Sequence, residues 1–140
     1  MNKIFKILFF IFMFENNITN AQTILGVDVS HWQGTINWSQ VLTAGKTFAF
    51  VKATEGVTFV DGQFITNMIN GNNAGLKMGA YHFARPDNNS AVSEANHFLN
   101  NASSYIGINK LPPVLDLEDP PGVNLQSLFS KATLTTWVQT

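Results

Sequence analysis

Short apolar runs alternate with longer helix-compatible stretches from Thr23 to the end of the chain. The runs are rich in aromatic and β-branched residues, which is typical of buried strands, and they predict strands at residues 24–29, 48–52, 78–83 and 114–117. The stretches between them predict helices near 38–43, 63–74 and 90–100, and a further helix in 125–140. Ser90 is placed to cap the third helix, and Gly75 is placed to end the second in a left-handed conformation. Residues 53–61 are predicted to form a loop.

Alternation of strands and helices with short connections predicts parallel βα units and therefore an α/β fold. The strands fit an open doubly wound sheet or part of a barrel. The glycine-containing segment 71–75 lies at the end of a helix and not in a strand-to-helix turn, which disfavours a nucleotide-binding sheet. Four βα units make up about half of an eight-stranded barrel. We therefore predict that residues 22–140 form the N-terminal portion of a TIM-like (β/α) barrel, and we expect them not to be a competent, stably folded enzyme alone. Whether the gene continues past Thr140 is left open.

The first residues follow a different pattern. Lys3 and Lys6 precede the apolar run 7–14, and a polar segment then leads to Thr19-Asn20-Ala21. A basic start, a short apolar run and a small final residue predict a signal peptide over residues 1–21. The alternative is an N-terminal anchor or a buried helix, but the run is too short to span a bilayer comfortably. We expect a secreted protein, extracellular or periplasmic, with no stable membrane insertion after processing.

Composition narrows the function classes. A chain of 140 residues that is 45% hydrophobic and 12% charged suits one globular domain with a core. Its net charge of −1 gives no basic surface for nucleic acid. The chain has no cysteine, which excludes disulfides and thiolate metal sites. The spacing of His31, His82 and His97 matches no familiar ligand pair, so we predict neither a metal nor another cofactor.

Polar residues stand at the predicted carboxyl ends of the strands, where barrels carry their reactive side chains. In Asp116-Leu117-Glu118 the two acids share one face of the strand, with Cα atoms roughly 6.5 to 7 Å apart. Their repulsion predicts that one takes up a proton near neutrality, which is the general-acid arrangement of glycosidases. A solvated pair, or a cation site that includes Asp119, is the alternative. Asp28 either joins this pair from the first strand or caps its own turn.

Several separated motifs resemble the family 25 glycoside hydrolases, the Chalaropsis-type lysozymes. They are Asp28-Val29, Gln33-Gly34, Gly45, Phe50-Val51-Lys52-Ala53-Thr54-Glu55-Gly56, Phe59, Asp61, Gly79-Ala80-Tyr81-His82-Phe83 and Leu115-Asp116-Leu117-Glu118. The resemblance implies a modified β/α barrel that hydrolyses the β-1,4 bond between N-acetylmuramic acid and N-acetylglucosamine.

The resemblance also implies roles for individual residues. Glu118 matches the family's proton donor, Asp116 the carboxylate beside it, and Asp28 the acidic residue of the first strand. Motif positions near the cleft are matched by Lys52, Glu55, Tyr81 and His82. Trp32 lies in the loop after the first strand and is a candidate for stacking on a sugar ring.

These observations predict a secreted muramidase that acts on bacterial peptidoglycan and is a monomer when full length. A first alternative is an inactive glycan-binding remnant of the barrel, because the later strands and an acidic residue that the family carries near them are not in this chain. A second is a metal-dependent polysaccharide deacetylase that uses Asp116 and His82. Retaining, inverting and substrate-assisted routes are all open.

Overall fold

The computed structural model describes residues 23–139. Parallel strands form a curled sheet with the order β1-β2-β4-β5. These strands are β1 (Leu25–Val29), β2 (Lys46–Glu55), β4 (Lys77–Phe83) and β5 (Val114–Asp116), and a short β3 (Phe59–Val60) pairs antiparallel with the end of β2. Within the described residues β1 and β5 are the two edges of the parallel sheet, so the sheet is an open half-barrel. The predicted α/β class is confirmed.

The helices are α1 (Trp38–Thr43), α2 (Phe64–Asn73), α3 (Ala91–Ala102), α4 (Leu125–Leu128) and α5 (Lys131–Gln139), with 3₁₀ turns at His31–Gln33 and Ser103–Tyr105. Local sequence explains their ends. The Ser93 amide donates to Ser90 Oγ at 3.3 Å and so begins α3. Gly75 follows α2 with φ of +99°, a conformation that costs glycine least.

The core lies between the outer face of the sheet and the helices. It contains Val29, Trp38, Ala49, Val51, Ala53, Phe64, Met68, Leu76, Met78, Ala80, Phe98 and Ala102. On the inner face the rings of Phe48 and Phe50 cover two glycines. A Cβ on Gly26 would lie 2.2 Å from the Phe48 ring, and one on Gly79 would lie 2.6 Å from the Phe50 ring. Both positions therefore require glycine for the rings to lie against the sheet.

Two predictions of secondary structure were wrong. The expected loop at 53–61 is instead the end of β2 and its hairpin with β3, because polar side chains that suggest a loop find partners here. Thr54 Oγ1 is 2.7 Å from His82 Nδ1, and Lys52 Nζ is 2.7 Å from Glu55 Oε2. The expected single helix after residue 125 is divided into α4 and α5, since Phe129 is extended with φ of −133°. Ser130 Oγ then accepts from the Thr133 amide at 3.1 Å and starts a new helix.

Among residues 23–139 no helix is long and apolar enough to cross a bilayer. The predicted signal peptide at residues 1–21 lies outside the described part of the chain.

Candidate active site

An open cleft of about 420 Å³ lies at the carboxyl ends of the parallel strands. Its lining residues are Asp28, Phe50, Tyr81, Val114, Leu115, Asp116, Leu117 and Glu118. The cleft therefore brings together the candidate acids of the first and last described strands, and Tyr81 between them. Asp28 pairs in register with Phe50 of β2, and Asp116 pairs with Phe83 of β4. Because the strands pair in this register, side chains that are far apart in sequence lie at the same end of the sheet.

The acids differ in their surroundings. Asp28 and Glu118 are exposed, whereas Asp116 is half-buried. Burial raises the pKa of Asp116 above its usual value, and the negative charges of Glu118 and Asp28 raise it further, while Lys52 opposes them. Within residues 23–139 no hydrogen bond reaches the three carboxylates. Burial and the two neighbouring negative charges thus both disfavour the ionised form of Asp116.

Tyr81 shares this field. Burial raises the pKa of its phenol, and the charges of Asp116, Asp28, Asp61 and Glu118 add to the increase. The phenol consequently keeps its proton at any physiological pH and presents a hydrogen-bond donor to the cleft.

Asp119 does not join the carboxylate pair. Its Oδ1 accepts from the Leu125 amide at 2.9 Å and helps to begin α4. In the described part of the chain, no group of three or more His, Asp or Glu side chains is arranged to hold a metal ion.

His82 lies on the opposite face of β4 from Tyr81, because neighbouring residues in a strand alternate. Its ring is 3% exposed and packs against Phe98 beneath the sheet. His82 Nε2 donates to Glu94 Oε2 at 2.8 Å, and its Nδ1 is 2.7 Å from Thr54 Oγ1. The structure therefore does not bring His82 to the cleft, which corrects its prediction as a cleft residue and separates it from Asp116.

Lys52 and Glu55 lie at the end of β2 and are not among the residues that line the cleft. Lys52 is buried, and its Nζ is 4.6 Å from the centre of the Phe83 ring and 5.4 Å from that of Phe59. Glu55 binds Lys52 Nζ at 2.7 Å and Arg85 Nη1 at 3.1 Å. Burial alone would raise the pKa of Glu55, but the two cations outweigh it and hold the pKa below its usual value. Sequence reasoning missed Arg85, which carried no motif signal.

Trp32 projects from the turn after β1 and is 81% exposed. Its ring centre is 4.7 Å from that of His31. His31 is held by the buried carboxylate of Asp61, which accepts from the His31 amide at 2.9 Å and lies 2.8 Å from His31 Nδ1. An indole in solvent on a firmly anchored turn is a costly arrangement, and it suits a surface that a ligand covers.

Residues 27–140 match the family described as glycosyl hydrolases family 25. Lysozyme M1 of Streptomyces globisporus is 44% identical over 127 residues, which cover 89% of this chain and 43% of that protein. An N,O-diacetylmuramidase of Arthroderma benhamiae is 32% identical over 123 residues, which cover 86% and 52%. The crystal structure of the bacterial lysozyme from Streptomyces coelicolor superposes with a TM-score of 0.76 at 42% identity, covering 86% of this chain and 56% of that one. The chain thus spans about half the length of these relatives.

Proposed function

Because the chain belongs to the glycosyl hydrolases of family 25, we propose that it is the N-terminal part of a secreted lysozyme. Its substrate is bacterial peptidoglycan, and the bond broken is the β-1,4 link between N-acetylmuramic acid and N-acetylglucosamine. The observation that carries the proposal is the open cleft at the strand ends, in which Asp28, Asp116 and Glu118 lie around Tyr81 without protein hydrogen-bond partners among residues 23–139. Carboxyl groups left free in a cleft are available to a substrate.

Glu118 acts as the general acid. Its exposed carboxyl can approach the glycosidic oxygen and protonate it as the bond to the anomeric carbon breaks. Asp116 lies next to the developing positive charge. It either stabilises the oxocarbenium-like sugar directly or orients the substrate's N-acetyl group to attack the anomeric carbon. Asp28 shapes the opposite side of the cleft and adds negative charge.

Tyr81 and Trp32 bind the substrate in this proposal. The protonated phenol of Tyr81 donates a hydrogen bond to a sugar oxygen or to a neighbouring carboxylate. The exposed indole of Trp32 offers a flat apolar face to a sugar ring. Lys52 and Glu55 are further candidates for substrate binding in this proposal, and they are ion-paired with each other.

The test is Glu118→Gln in the protein expressed from its complete gene. We expect muropeptide release to fall on the order of 10²- to 10⁴-fold, because the general acid is lost. Borohydride reduction and mass spectrometry of the wild-type products should show new reducing-end muramic acid. Circular dichroism should show an unchanged fold.

Asp119→Asn is the matched control. It makes the same change of charge one residue away, and the Asn oxygen can still accept from the Leu125 amide. Near-normal turnover by Glu118→Gln would contradict the assignment of the acid. A wild-type protein that binds peptidoglycan without releasing fragments would favour the glycan-binding remnant.

A further inference from the structure

Four charged side chains are joined by hydrogen bonds beside the β2–β3 hairpin, in the order Asp87, Arg85, Glu55 and Lys52, and we call them the charge chain. Arg85 binds Asp87 through two nitrogens, with Nε to Oδ1 at 3.1 Å and Nη2 to Oδ2 at 3.0 Å. Its remaining nitrogen, Nη1, donates to Glu55 Oε1 at 3.1 Å. The other oxygen of Glu55 accepts from Lys52 Nζ at 2.7 Å. A planar guanidinium presents three nitrogens in a fixed fork that fits this contact, whereas a lysine ammonium presents only one nitrogen.

Further hydrogen bonds hold Arg85 and Asp87 in place. The Arg85 amide donates to both oxygens of the buried Glu94 carboxylate, at 3.1 and 3.0 Å. Glu94 is itself fixed by His82. The Asn88 side chain donates to Asp87 Oδ2 at 2.7 Å, so the Asp87 carboxylate is held as well. Arg85 is therefore fixed at its backbone and at its guanidinium.

The other end of the charge chain is Lys52, whose charge acts on Asp116. Lys52 Nζ lies 4.6 Å from the ring centre of Phe83, and Phe83 is the register partner of Asp116 across β4 and β5. The charged and titratable groups around Asp116 come from several strands of the sheet. They are Asp28 of β1, Lys52 of β2, Tyr81 of β4 and Glu118 beyond β5. Lys52 is the cation among them, and it lowers the pKa that burial and the two acids raise.

We propose that Arg85 and Asp87 are positioning residues that fix Glu55 and, through it, hold the Lys52 ammonium over the ring of Phe83, the register partner of Asp116. A lysine side chain is long and flexible, and a free ammonium would turn toward solvent. Glu55 prevents this only while its own charge is balanced and its second oxygen is held by Arg85. The role in catalysis rests on the proposed lysozyme function, whereas the effect on Asp116 does not.

The experiment measures the titration of the Asp116 carboxyl carbon by ¹³C NMR in the protein expressed from its complete gene. Lys52→Met should raise the Asp116 midpoint by roughly 0.5 pH unit or more, because an opposite charge near a partly buried acid has been removed. Arg85→Gln should raise it in the same direction. Because Arg85 acts through Lys52, the double variant should match Lys52→Met alone.

Two further variants make the test specific. Arg85→Lys keeps the charge but not the three-point contact, so it should shift the midpoint as Arg85→Gln does. Lys77→Gln removes one exposed positive charge at the other end of β4 and should leave the midpoint unchanged. A wild-type midpoint in Arg85→Lys or Arg85→Gln, or an equal Arg85→Gln shift with and without Lys52, would overturn the proposal.

The pH–rate profile supplies the second readout. For an active wild-type enzyme, the acid limb should move to higher pH in the same variants and by the same amounts. Absence of wild-type turnover would refute the proposed lysozyme function. The NMR midpoints would still decide whether Arg85 positions Lys52.

Discussion

Removing the carboxylate of Glu94 should destabilise the protein strongly, although the residue lies outside the cleft. Glu94 is 1% exposed and accepts from His82 Nε2 at 2.8 Å and from the Arg85 amide at 3.0 and 3.1 Å. Glu94→Ala leaves the His82 ring nitrogen and the Arg85 amide without acceptors, and each buried, unpaired donor costs about 1–3 kcal/mol. With two donors left unpaired, the total cost is about 2–6 kcal/mol. We expect the free energy of unfolding to fall by about that amount.

Glu94→Gln separates charge from shape. The amide keeps one acceptor oxygen, but its NH₂ group meets a donor, so the loss should be about 1–3 kcal/mol. Urea unfolding followed by circular dichroism gives both values from the shift in midpoint at constant slope. Asn96→Ala on the exposed side of the same helix is the control and should change the free energy of unfolding by no more than about 0.5 kcal/mol.

The variant His82→Ala decides between two roles for His82, when both its free energy of unfolding and its KM are measured. If its ring is a support beneath the sheet, His82→Ala lowers the free energy of unfolding while the folded protein keeps its KM for peptidoglycan. If the ring contacts substrate, KM rises and stability changes little. A Glu94→Ala protein that loses less than about 1 kcal/mol would refute the reasoning, since it would show that the buried contacts are not needed.

Other expectations concern the cleft and the N-terminus. Asp116→Asn should abolish most activity yet raise the melting temperature at neutral pH. The folded-state pKa of Asp116 is raised, so its ionised form opposes folding as pH rises through that pKa, whereas the amide of Asn carries no charge. Differential scanning calorimetry at neutral and acidic pH checks this, and the gain should disappear once the carboxyl is protonated. Trp32→Ala should raise KM about fivefold with no change in melting temperature, because the indole packs on little protein; an unchanged KM would remove Trp32 from the binding surface. The exported protein should begin at Gln22 by N-terminal sequencing, and recovery of Met1 would reject cleavage after Ala21.

Much of the fold could be predicted because its signals are local. The strand expected at 78–83 is Lys77–Phe83, and the helix expected at 38–43 is Trp38–Thr43. Gly75 and Ser90 end and begin their helices as their chemistry indicates. In each case the determining interaction lies within a few residues in sequence. Asp116 and Glu118 both line the cleft, although β5 ends at Asp116 and Leu117 between them lines the cleft as well, so strand alternation is not what brings the two acids together.

The failures have the opposite character. His82 stands beside Tyr81 in sequence, and only its contact with Glu94 of α3 reveals that its ring lies on the outer face of the sheet, against a helix. Arg85 gave no signal because its three contacts join residues from β2 and from the loop after β4. Polarity alone does not distinguish a side chain that meets substrate from one that meets a buried partner. That distinction depends on pairing between distant segments.

The two faces of the sheet place opposite demands on the same backbone. On the outer face, the Thr54–His82–Glu94 contacts satisfy buried polar groups and an apolar core packs around them. On the inner face, carboxylates crowd a cleft in which burial and then mutual repulsion raise the pKa of Asp116. Such repulsion opposes folding, so it must be offset elsewhere in the domain. Arg85 joins the two faces, since its amide binds Glu94 below and its guanidinium holds Glu55 above. The buried network therefore contributes stability and also helps to fix the Lys52 charge, which lowers the pKa of Asp116.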